Sequence, residues 1–419
     1  MPPAQNYIDG EWTDSESGDT FETINPAAPD EVVAAYQEST ASDANAATAA
    51  AADAEAEWAS VPAPERGAIL KSAGDVLADR KAELTSQLTR EEGKTHAEAG
   101  GEVQRAIDIF HYYAQKTRDL GGTVKSSSSR RTNLYTREEP VGVTALITPW
   151  NYPIAIPAWK IAPALAAGNT VIIKPASLAP GPAVSIVEAL DEAGIPDGVI
   201  NLVTGPGKTV GNAVIGDELV DAVSFTGSSA VGHKVYELAT DDGKRVQTEM
   251  GGKNPTIVAD SADIEEAADI VANGAFGVTG QACTAGSRAI VYGDVYDEFV
   301  DTIVDRATAV DVGPGDEYDM GPQVSEDELE GTLEYIDVAE EEGATLAAGG
   351  EALDGGRFGD GYFVAPTVFS DVGVDHRLAQ EEVFGPVLAV LKVEGFEDAI
   401  KAANNVNYGL SASILTQNH

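Results

Sequence analysis

Apolar residues in the first third of the chain recur with the period of an α-helix. Their spacing predicts amphipathic helices over 44–59, 64–92 and 98–118. A connector rich in glycine and serine follows at 121–131, and the alternating segment 132–138 predicts a strand that leaves the domain. The N-terminal region is therefore expected to be mainly helical.

From Val141 onward, short apolar runs alternate with helical patterns. Strands are expected at 141–147, 170–174, 199–203, 222–225 and 245–249, with helices at 154–167, 180–193, 209–215 and 229–240. Repeated strand–helix units build an open parallel sheet covered by helices on both faces. Such sheets bind ligands beyond the carboxyl ends of their strands. The pattern predicts an α/β fold.

A second section of the same kind begins near Pro255. It is expected to contain strands at 256–259 and 289–292 and helices at 264–278 and 295–310. The glycine pair at 251–252 marks the division between the two sections. We therefore predict two parallel-sheet α/β domains, over 1–250 and 251–419.

The charge balance excludes several kinds of partner. The chain has 69 acidic and 26 basic residues, a formal net charge of -43. This surface repels nucleic acid and anionic membranes, and the even spread of acids is typical of proteins in a high-salt cytosol. The chain has no apolar run of membrane-spanning length, and its N-terminus does not resemble a secretion signal. We expect a halophilic, cytoplasmic protein.

The only cysteine is Cys283, so no internal disulfide and no cysteine-based zinc site are expected. The five histidines, His419 among them, lack metal-ligand spacing, so we expect no metal. A single thiol is often a small buried hydrophobe. Here Gly280 and Gln281 precede it and small residues follow, so backbone can approach a ligand and activate the thiol. The local sequence favours a nucleophile.

Two other segments carry groups suited to carbonyl chemistry. Glu249 ends a predicted strand before the glycine pair, where its carboxylate can project into a cleft between domains and act as a general base toward water. Asn151 follows another strand, and its amide can donate to a developing oxyanion. Each also has a plainer interpretation, as a solvated carboxylate and as a turn residue beside proline.

Three segments have features of a nucleotide site. Lys174 ends a buried strand, where its cation can hold a ribose or a phosphate. Segments 205–211 and 225–232 each follow a strand and open a helix, so free N–H groups can meet a pyrophosphate. The positions concerned are Gly207, Gly211, Gly227 and Ser228. Neither segment has the usual dinucleotide fingerprint.

Together these segments resemble the aldehyde dehydrogenase superfamily from about Tyr7 to the last residue. The motifs are Trp-Asn-Tyr-Pro (150–153), Lys-Pro-Ala-Ser (174–177), Phe-Thr-Gly-Ser (225–228), Glu-Met-Gly-Gly-Lys (249–253), Gly-Gln-Ala-Cys (280–283) and Glu-Glu-Val-Phe-Gly-Pro (381–386). The resemblance implies a Rossmann-like cofactor domain, a catalytic domain and a small β extension for oligomerisation near 121–139. It also implies a homo-oligomer that oxidises a small aldehyde to an acid with NADP or NAD.

The resemblance further implies roles for individual residues. Cys283 attacks the aldehyde, with Asn151 and its own N–H as the oxyanion hole, and the thiohemiacetal expels a hydride to the nicotinamide. Glu249 activates the water that releases the acid, and Lys160 matches a lysine credited with assisting proton transfer. The implied cofactor contacts are Trp150, Lys174, Ser177, Gly207, Gly211, Gly227, Ser228, Glu382 and Phe384.

The sequence departs from the family pattern in two places. NAD-preferring members often carry a glutamate three residues after the strand-end lysine, where this chain has Ser177, so NADP is allowed and slightly favoured. The family also continues past residues 410–419 through a further catalytic segment and a strand that joins a neighbouring subunit. The C-terminus is therefore expected to be truncated.

Several readings compete with hydrolytic aldehyde oxidation. A CoA-acylating aldehyde dehydrogenase has less need of a base such as Glu249, and a thiol esterase would want a histidine beside Cys283, where the sequence has none. A noncatalytic relative is disfavoured because Cys283, Glu249 and Asn151 occur together. For the substrate, the local motifs resemble members that oxidise sugar-acid-derived semialdehydes such as α-ketoglutarate semialdehyde.

Overall fold

The structure is a computed structural model that describes residues 3–315 and 317–418, so Met1, Pro2, Asp316 and His419 lie outside it. The chain divides into two compact units. The first comprises Met1–Thr23, Val32–Leu88 and Ala99–Glu249, and the second comprises Ile24–Glu31, Thr89–Glu98 and Met250–His419.

This division corrects the expectation that all of residues 1–250 form one domain. Two segments of the N-terminal half, Ile24–Glu31 and Thr89–Glu98, belong to the second unit. Contacts made inside that unit explain why. The Pro26 carbonyl accepts a hydrogen bond from the Tyr362 N–H (3.0 Å). At Gly321 an added Cβ would lie 2.1 Å from the Gly93 carbonyl oxygen, so these two segments of the chain are in direct contact.

The chain begins with strands, which the sequence pattern did not predict. They are β1 (Asn6–Ile8), β2 (Glu11–Thr13), β3 (Thr20–Asn25) and β4 (Ala28–Gln37). β1 and β2 form a hairpin at the edge of the first unit's sheet, and β3 pairs with β4. β1 and β2 have three residues each, too few to show a clear alternation.

Helices follow as predicted, but with different boundaries. They are α1 (Ala41–Ser60), α2 (Ala63–Asp79), α3 (Lys81–Glu92) and α4 (His96–Lys116). The single helix expected over 64–92 is two helices, because Arg80 (φ -92°, ψ 7°) leaves the helical conformation. α1 starts at a capping box in which the Thr40 N–H donates to the Asp43 carboxylate (2.8 Å).

The segment predicted to leave the domain forms a small exposed hairpin. It consists of β5 (Val124–Ser126) and β6 (Asn133–Tyr135), paired antiparallel, with every residue of both strands exposed. β5 lies inside the stretch predicted as a connector, and β6 lies inside the predicted strand 132–138.

The first unit contains a largely parallel sheet. Its remaining elements are β7 (Val143–Ile147), α5 (Ala155–Ala167), β8 (Thr170–Lys174), α6 (Gly181–Glu192), β9 (Ile200–Leu202), α7 (Asn212–Gly216), β10 (Ala222–Thr226), α8 (Ser229–Asp241) and β11 (Arg245–Glu249). The strand order is β11-β10-β7-β8-β9-β1-β2, with β1 and β2 antiparallel. β8 is buried throughout, as expected for a strand covered by helices on both faces.

The second unit contains another mainly parallel sheet. Its elements are β12 (Asn254–Val258), α9 (Ile264–Phe276), β13 (Gly286–Tyr292), α10 (Tyr296–Ala309), α11 (Glu326–Glu341), β14 (Thr345–Ala348), β15 (Ala352–Leu353), β16 (Phe363–Val364), β17 (Thr367–Ser370), α12 (Arg377–Gln380), β18 (Val387–Val393), α13 (Phe396–Asn404) and β19 (Ser413–Leu415). The order is β14-β17-β18-β13-β12-β19, and only the edge strand β14 runs antiparallel to its neighbour. The predicted α/β class with two parallel sheets is confirmed.

Across the described ranges 3–315 and 317–418, no helix is both long enough and apolar enough to cross a membrane.

Candidate active site

The predicted residues of the first unit follow the carboxyl ends of adjacent parallel strands. β7 and β8 end in register, with Ile147 opposite Lys174, and β10 and β11 end with Thr226 opposite Glu249. Asn151 comes four residues after Ile147, and Gly227 directly after β10. These residues therefore belong to one edge of the sheet, where open α/β sheets bind ligands.

The turn that carries Trp150 and Asn151 is fixed from both ends. On the strand side, the Thr148 N–H donates to the Lys174 carbonyl (3.2 Å). On the helix side, the N–H groups of Ile154 and Ala155 both donate to Glu102 Oε1 (3.0 Å each). Asn151 itself is buried.

Glu102 is a residue that the sequence analysis missed. Its buried carboxylate lies at the start of α5, where the unpaired N–H groups and the helix dipole favour an anion. It comes from α4, 52 residues before Ile154. No short motif could have shown this pairing.

Lys174 and Ser177 occupy the end of β8. Burial lowers the pKa of Lys174 to about 8, and none of the described residues accepts a hydrogen bond from its Nζ in the structure. Ser177 Oγ donates to the Gly205 carbonyl (3.0 Å), which links two loops at the carboxyl edge. A buried ammonium without a protein partner is suited to an external hydroxyl or anion.

The two glycine segments both stand at the openings of helices. Gly207 and Gly211 bound a single π-helical turn that leads into α7, where a plain helix over 209–215 was expected. An added Cβ at either glycine would meet nothing within 4 Å. Ser228 is the N-cap of α8, but its side chain accepts no hydrogen bond from the helix. The first N–H groups of α8 are therefore not capped by Ser228, and such groups can bind an anion.

A chain of hydrogen bonds joins Lys160 to Glu249. Lys160 Nζ donates to Ser224 Oγ (2.6 Å), and Ser224 Oγ donates to Gln247 Oε1. Gln247 Nε2 then donates to Glu249 Oε1 (2.6 Å). Burial lowers the pKa of Lys160 to about 8, opposed by the negative charge of Glu249.

The middle of this chain was also missed in the sequence. Ser224 and Gln247 are paired on β10 and β11, and Gln247 shares a strand face with Glu249 two residues further on. The polar alternation along β11 was the available signal. Sequence alone could not show which side chain of β10 stands opposite Gln247.

In the second unit, Cys283 is half-buried and follows an unusual backbone. α9 ends at Phe276, before the predicted end at Val278, because Val278 (φ 52°) and Thr279 (φ 55°) adopt left-handed conformations. Such conformations in β-branched residues cost about 1–3 kcal/mol each and concentrate at functional sites. Gly280 (φ 67°) continues the turn.

The main chain at Cys283 is held by buried polar contacts. The Asn254 amide donates to the carbonyls of Cys283 and Ala285 (2.8 Å each). An added Cβ at Gly252 would lie 2.6 Å from the Cys283 carbonyl oxygen. The second glycine of the predicted boundary pair is therefore required for this close approach.

Glu382 packs against the same glycine pair. Its carboxylate accepts the Gly252 N–H (2.9 Å), and an added Cβ at Gly251 would lie 1.9 Å from Oε2. Burial raises the pKa of Glu382, opposed by the Gly252 hydrogen bond and by the charge of Lys253. Phe384, two residues on, also has a positive φ (61°).

One narrow pocket of the second unit contains two of the predicted site residues, Glu382 and Phe384, and the neighbour of Cys283 in sequence, Ala282. Gly252, Gly280, Ala282, Glu382 and Phe384 all line it. A larger open cavity in the first unit is lined by Trp12, Arg80, Glu188, Asp191 and Glu192 among others, and contains none of the predicted residues. The described residues include no cluster of three acidic, histidine or cysteine side chains that could hold a metal ion.

The structure thus gathers the predicted residues into two groups. The first unit holds Trp150, Asn151, Lys160, Lys174, Ser177, Gly207, Gly211, Gly227, Ser228 and Glu249, and the second holds Cys283, Glu382 and Phe384. Residues that the sequence did not single out, Glu102, Ser224, Gln247 and Asn254, position several of them.

The family follows from comparison with known proteins. Residues 12–419 match the Aldehyde dehydrogenase family, and the chain belongs to that family. It is an oxidoreductase that oxidises an aldehyde to a carboxylic acid with NAD or NADP, as the sequence predicted. The CoA-acylating and thiol esterase alternatives are not favoured.

One relative in sequence and two solved structures are especially similar to this chain. The α-ketoglutarate semialdehyde dehydrogenase of Haloferax volcanii is 66% identical over 417 residues, covering 100% of this chain and 86% of the relative. Among solved structures, a 3,6-anhydro-L-galactose dehydrogenase with bound NADP has a TM-score of 0.96 at 38% identity, covering 99% of this chain and 87% of the other. Betaine aldehyde dehydrogenase of Staphylococcus aureus with NAD+ has a TM-score of 0.97 at 37% identity, covering 99% and 83%.

The carboxyl edge of the first unit fits a dinucleotide. Lys174 supplies a buried ammonium to which no side chain or carbonyl of the described residues is hydrogen-bonded, and the start of α8 presents N–H groups that its N-cap side chain does not engage. Both features suit the hydroxyls and phosphates of such a cofactor.

Proposed function

We propose that Cys283 is the nucleophile of this aldehyde dehydrogenase. The observation that carries the proposal is the loop before it: the only thiol of the chain comes shortly after three consecutive left-handed residues, is half-buried, and directly follows Ala282, which lines a pocket with Glu382 and Phe384. The thiolate sulfur forms a bond to the aldehyde carbon, and the carbonyl oxygen becomes an oxyanion. The Asn151 amide and the Cys283 N–H donate to that oxyanion.

The remaining steps divide between oxidation and hydrolysis. A bound nicotinamide would supply the acceptor for the hydride that leaves the former aldehyde carbon, so that the thiohemiacetal on Cys283 becomes a thioester. Glu249 then takes a proton from water, and the hydroxide adds to the thioester carbon. The C–S bond breaks, which returns the thiolate and releases the carboxylic acid.

Lys160 assists Glu249 through Ser224 and Gln247. The amide of Gln247 donates to the carboxylate and so fixes the orientation of the Glu249 side chain. Burial brings the pKa of Lys160 to about 8, close enough to neutral for the amine to exchange protons with water during turnover.

The cofactor is held by residues of both groups. Lys174 and Ser177 would bind the adenosine ribose, Ser228 and Gly227 would bind the pyrophosphate, and Gly207 and Gly211 would line the nucleotide. Trp150, Glu382 and Phe384 would bind the nicotinamide half. Residues 1–250 are thus mainly the cofactor-binding domain and 251–419 the catalytic domain. Because Ser177 carries no charge, a 2′-phosphate is not repelled, and we propose that NADP is accepted at least as well as NAD.

For the substrate we propose a sugar-acid-derived semialdehyde, with α-ketoglutarate semialdehyde as the first candidate. The support is the 66% identity with the Haloferax volcanii enzyme of that name. The acidic composition and the same similarity support a halophilic, cytoplasmic enzyme. The exposed β5–β6 hairpin, with Val124 and Tyr135 on its surface, supports assembly into a homo-oligomer.

The test is a product and rate analysis with two variants. Wild-type protein is expected to reduce NADP or NAD in step with formation of the acid, fastest with α-ketoglutarate semialdehyde among semialdehydes, glyceraldehyde and simple aliphatic aldehydes. Cys283→Ala is expected to lower kcat by at least about 10⁴-fold, as for loss of other nucleophiles, while still binding cofactor. Glu249→Gln is expected to give about one equivalent of reduced cofactor and then stall, because the thioester forms but is not hydrolysed.

A matched control is Thr284→Ala, at an exposed position next to the nucleophile, which should keep its activity within about threefold. Undiminished turnover by Cys283→Ala would refute the assigned nucleophile. Activity confined to unsubstituted aliphatic aldehydes would remove the semialdehyde proposal.

A further inference from the structure

The turn before Cys283 is held at every residue by a separate contact of the second unit. Val278 donates its N–H to Glu98 Oε1 (2.6 Å), and Thr279 Oγ1 donates to the Gly321 carbonyl (3.1 Å). Gly280 has no room for a side chain, since an added Cβ would lie 2.1 Å from the Gly385 carbonyl oxygen. The Val324 N–H donates to Gln281 Oε1 (2.9 Å). The turn is built to keep one conformation.

Among these contacts, Glu98 restrains one of the two β-branched residues for which the conformation is unfavourable. A left-handed conformation is a genuine outlier for a β-branched residue such as Val278, and it persists only where surrounding groups enforce it. The Glu98 carboxylate accepts the Val278 N–H, and an N–H bonded to a carboxylate is one of the stronger hydrogen bonds of proteins.

Glu98 also has a second contact, at the start of α4. Its Oε2 accepts the Thr95 N–H and the Thr95 hydroxyl (3.0 Å each), and its own N–H donates to Thr95 Oγ1 (3.3 Å). This is a capping box, in which one oxygen of the carboxylate suffices. The other oxygen, Oε1, is the one that reaches Val278.

A second capping box in this chain shows that a glutamate is not needed for the cap itself. At the start of α1, the shorter Asp43 accepts the Thr40 N–H (2.8 Å) and the Thr40 hydroxyl (2.9 Å) in the same arrangement. The additional methylene of Glu98 therefore serves the contact with Val278, 180 residues away in sequence.

We propose that Glu98 is a positioning residue for Cys283. Its carboxylate connects the left-handed turn at Val278 to the cap of α4. The conformation of that turn then sets the orientation of the thiol. The catalytic meaning of this rests on the proposed role of Cys283 as nucleophile, but the reactivity of the thiol can be measured without it.

The experiment compares Glu98→Asp with wild type in two assays. Aspartate keeps the capping box, as Asp43 does, but is too short to reach Val278. Because Cys283 is the only cysteine, its alkylation by iodoacetamide, followed by intact mass, reports on this thiol alone. We expect Glu98→Asp to slow alkylation and to lower kcat for aldehyde oxidation by roughly tenfold each, with KM changed less than about threefold, as for misplacement of a reacting group.

Two further variants separate positioning from general damage to the fold. Thr95→Ala weakens the cap of α4 and leaves the contact between Glu98 and Val278, so its alkylation rate should match wild type within about twofold. Val278→Asn places at the turn a residue that tolerates the left-handed conformation. In the Glu98→Asp background it should restore at least half of the lost alkylation rate and kcat.

Wild-type rates of both alkylation and turnover in Glu98→Asp would overturn the proposal. So would a loss in Thr95→Ala as large as in Glu98→Asp, or no recovery on adding Val278→Asn. If Glu98→Asp does not fold, Glu98→Gln replaces it: its one oxygen can accept the Val278 N–H while the amide nitrogen faces Thr95, so its alkylation rate should fall no further than that of Thr95→Ala, and a tenfold loss in Glu98→Gln alone would count against the proposal. Aldehyde oxidation that survives Cys283→Ala would refute the proposed nucleophile, while the alkylation results would still decide the positioning role.

Discussion

At the end of β8 a single side chain bears on the choice of cofactor. Ser177 is uncharged and donates to the Gly205 carbonyl three residues after Lys174. We expect Ser177→Glu to lower kcat/KM with NADP by about 10–100-fold, because a carboxylate there repels the 2′-phosphate in a partly buried site. The value with NAD should hold or rise.

The control for this change is Ser177→Gln, which has the same size without the charge. Initial rates with NADP and with NAD distinguish an effect of charge from an effect of side-chain size. Equal losses with NADP in the Glu and Gln variants would assign the effect to bulk instead of charge.

A second residue, Lys253, makes stability depend on pH. It is fully buried, and none of the described residues accepts a hydrogen bond from its Nζ. Burial lowers its pKa to about 7, with the charge of Arg288 acting in the same direction. An unfolded lysine titrates near 10.4, so from about pH 7 to 10 the unfolded chain binds more protons here than the folded chain. The free energy of unfolding contributed by this residue therefore rises with pH in that window.

We expect Lys253→Met to stabilise the protein at pH 7, since it removes a buried cationic group at similar volume. The advantage over wild type should shrink by up to ~1.4 kcal/mol for each pH unit above 7. Urea unfolding at fixed salt measures it, with the half-exposed Lys392→Met as control. An advantage that is independent of pH would contradict the assigned titration.

At the scale of single residues, the sequence located the proposed catalytic groups but not the side chains that position them. Cys283, Glu249 and Asn151 stand in short motifs, so their candidacy was readable. Their supports come from distant parts of the chain: Glu98 lies 180 residues before Val278, and Glu102 lies 52 residues before Ile154. A carboxylate on a helix face has the same pattern whether it faces water or caps another element.

Among the elements, α5 depends on a cap from another helix. Glu102 accepts two N–H groups at its start, directly after the turn that carries Asn151. We expect Glu102→Ala to lower the free energy of unfolding by about 2–4 kcal/mol, because two buried N–H groups lose their acceptor. It should also lower kcat more than it raises KM, since the turn is no longer fixed.

Urea unfolding and steady-state kinetics together test this expectation. Glu102→Gln, which keeps an oxygen acceptor, should recover most of both losses. An Ala variant as stable as wild type would show that α5 does not need this cap.

The predicted boundaries agreed best with the structure at two strands, one buried throughout and one alternating between exposed and half-buried residues. β8 and β11 have the predicted boundaries, because their ends coincide with changes in polarity. The break between α2 and α3 at Arg80 carries no glycine or proline, and apolar periodicity runs through it. α9 ends early because Val278 adopts a conformation that its side chain disfavours, which no local propensity predicts.

For the whole molecule, net charge is the dominant electrostatic property. A formal charge of -43 makes the folded state repel itself when salt is low. The screening length falls from ~10 Å at 0.1 M to ~3 Å at 1 M salt. We therefore expect the urea midpoint of unfolding to rise steadily with KCl over this range.

The control is sucrose at equal osmolality, which changes water activity without screening charge and should raise the midpoint less than KCl. A midpoint that falls or stays level as KCl increases would contradict the role assigned to repulsion.

The second unit is assembled from three separate stretches of polypeptide, Ile24–Glu31, Thr89–Glu98 and Met250–His419. During synthesis on the ribosome, the first two stretches emerge long before the third, so they cannot pack against it until it has been made. The first unit, by contrast, is complete in sequence at Glu249. A gene divided at codon 250 would therefore split only the second unit. The upstream product would carry all of the first unit together with Ile24–Glu31 and Thr89–Glu98, and the downstream product would lack Glu98 and the support it gives to the nucleophile turn.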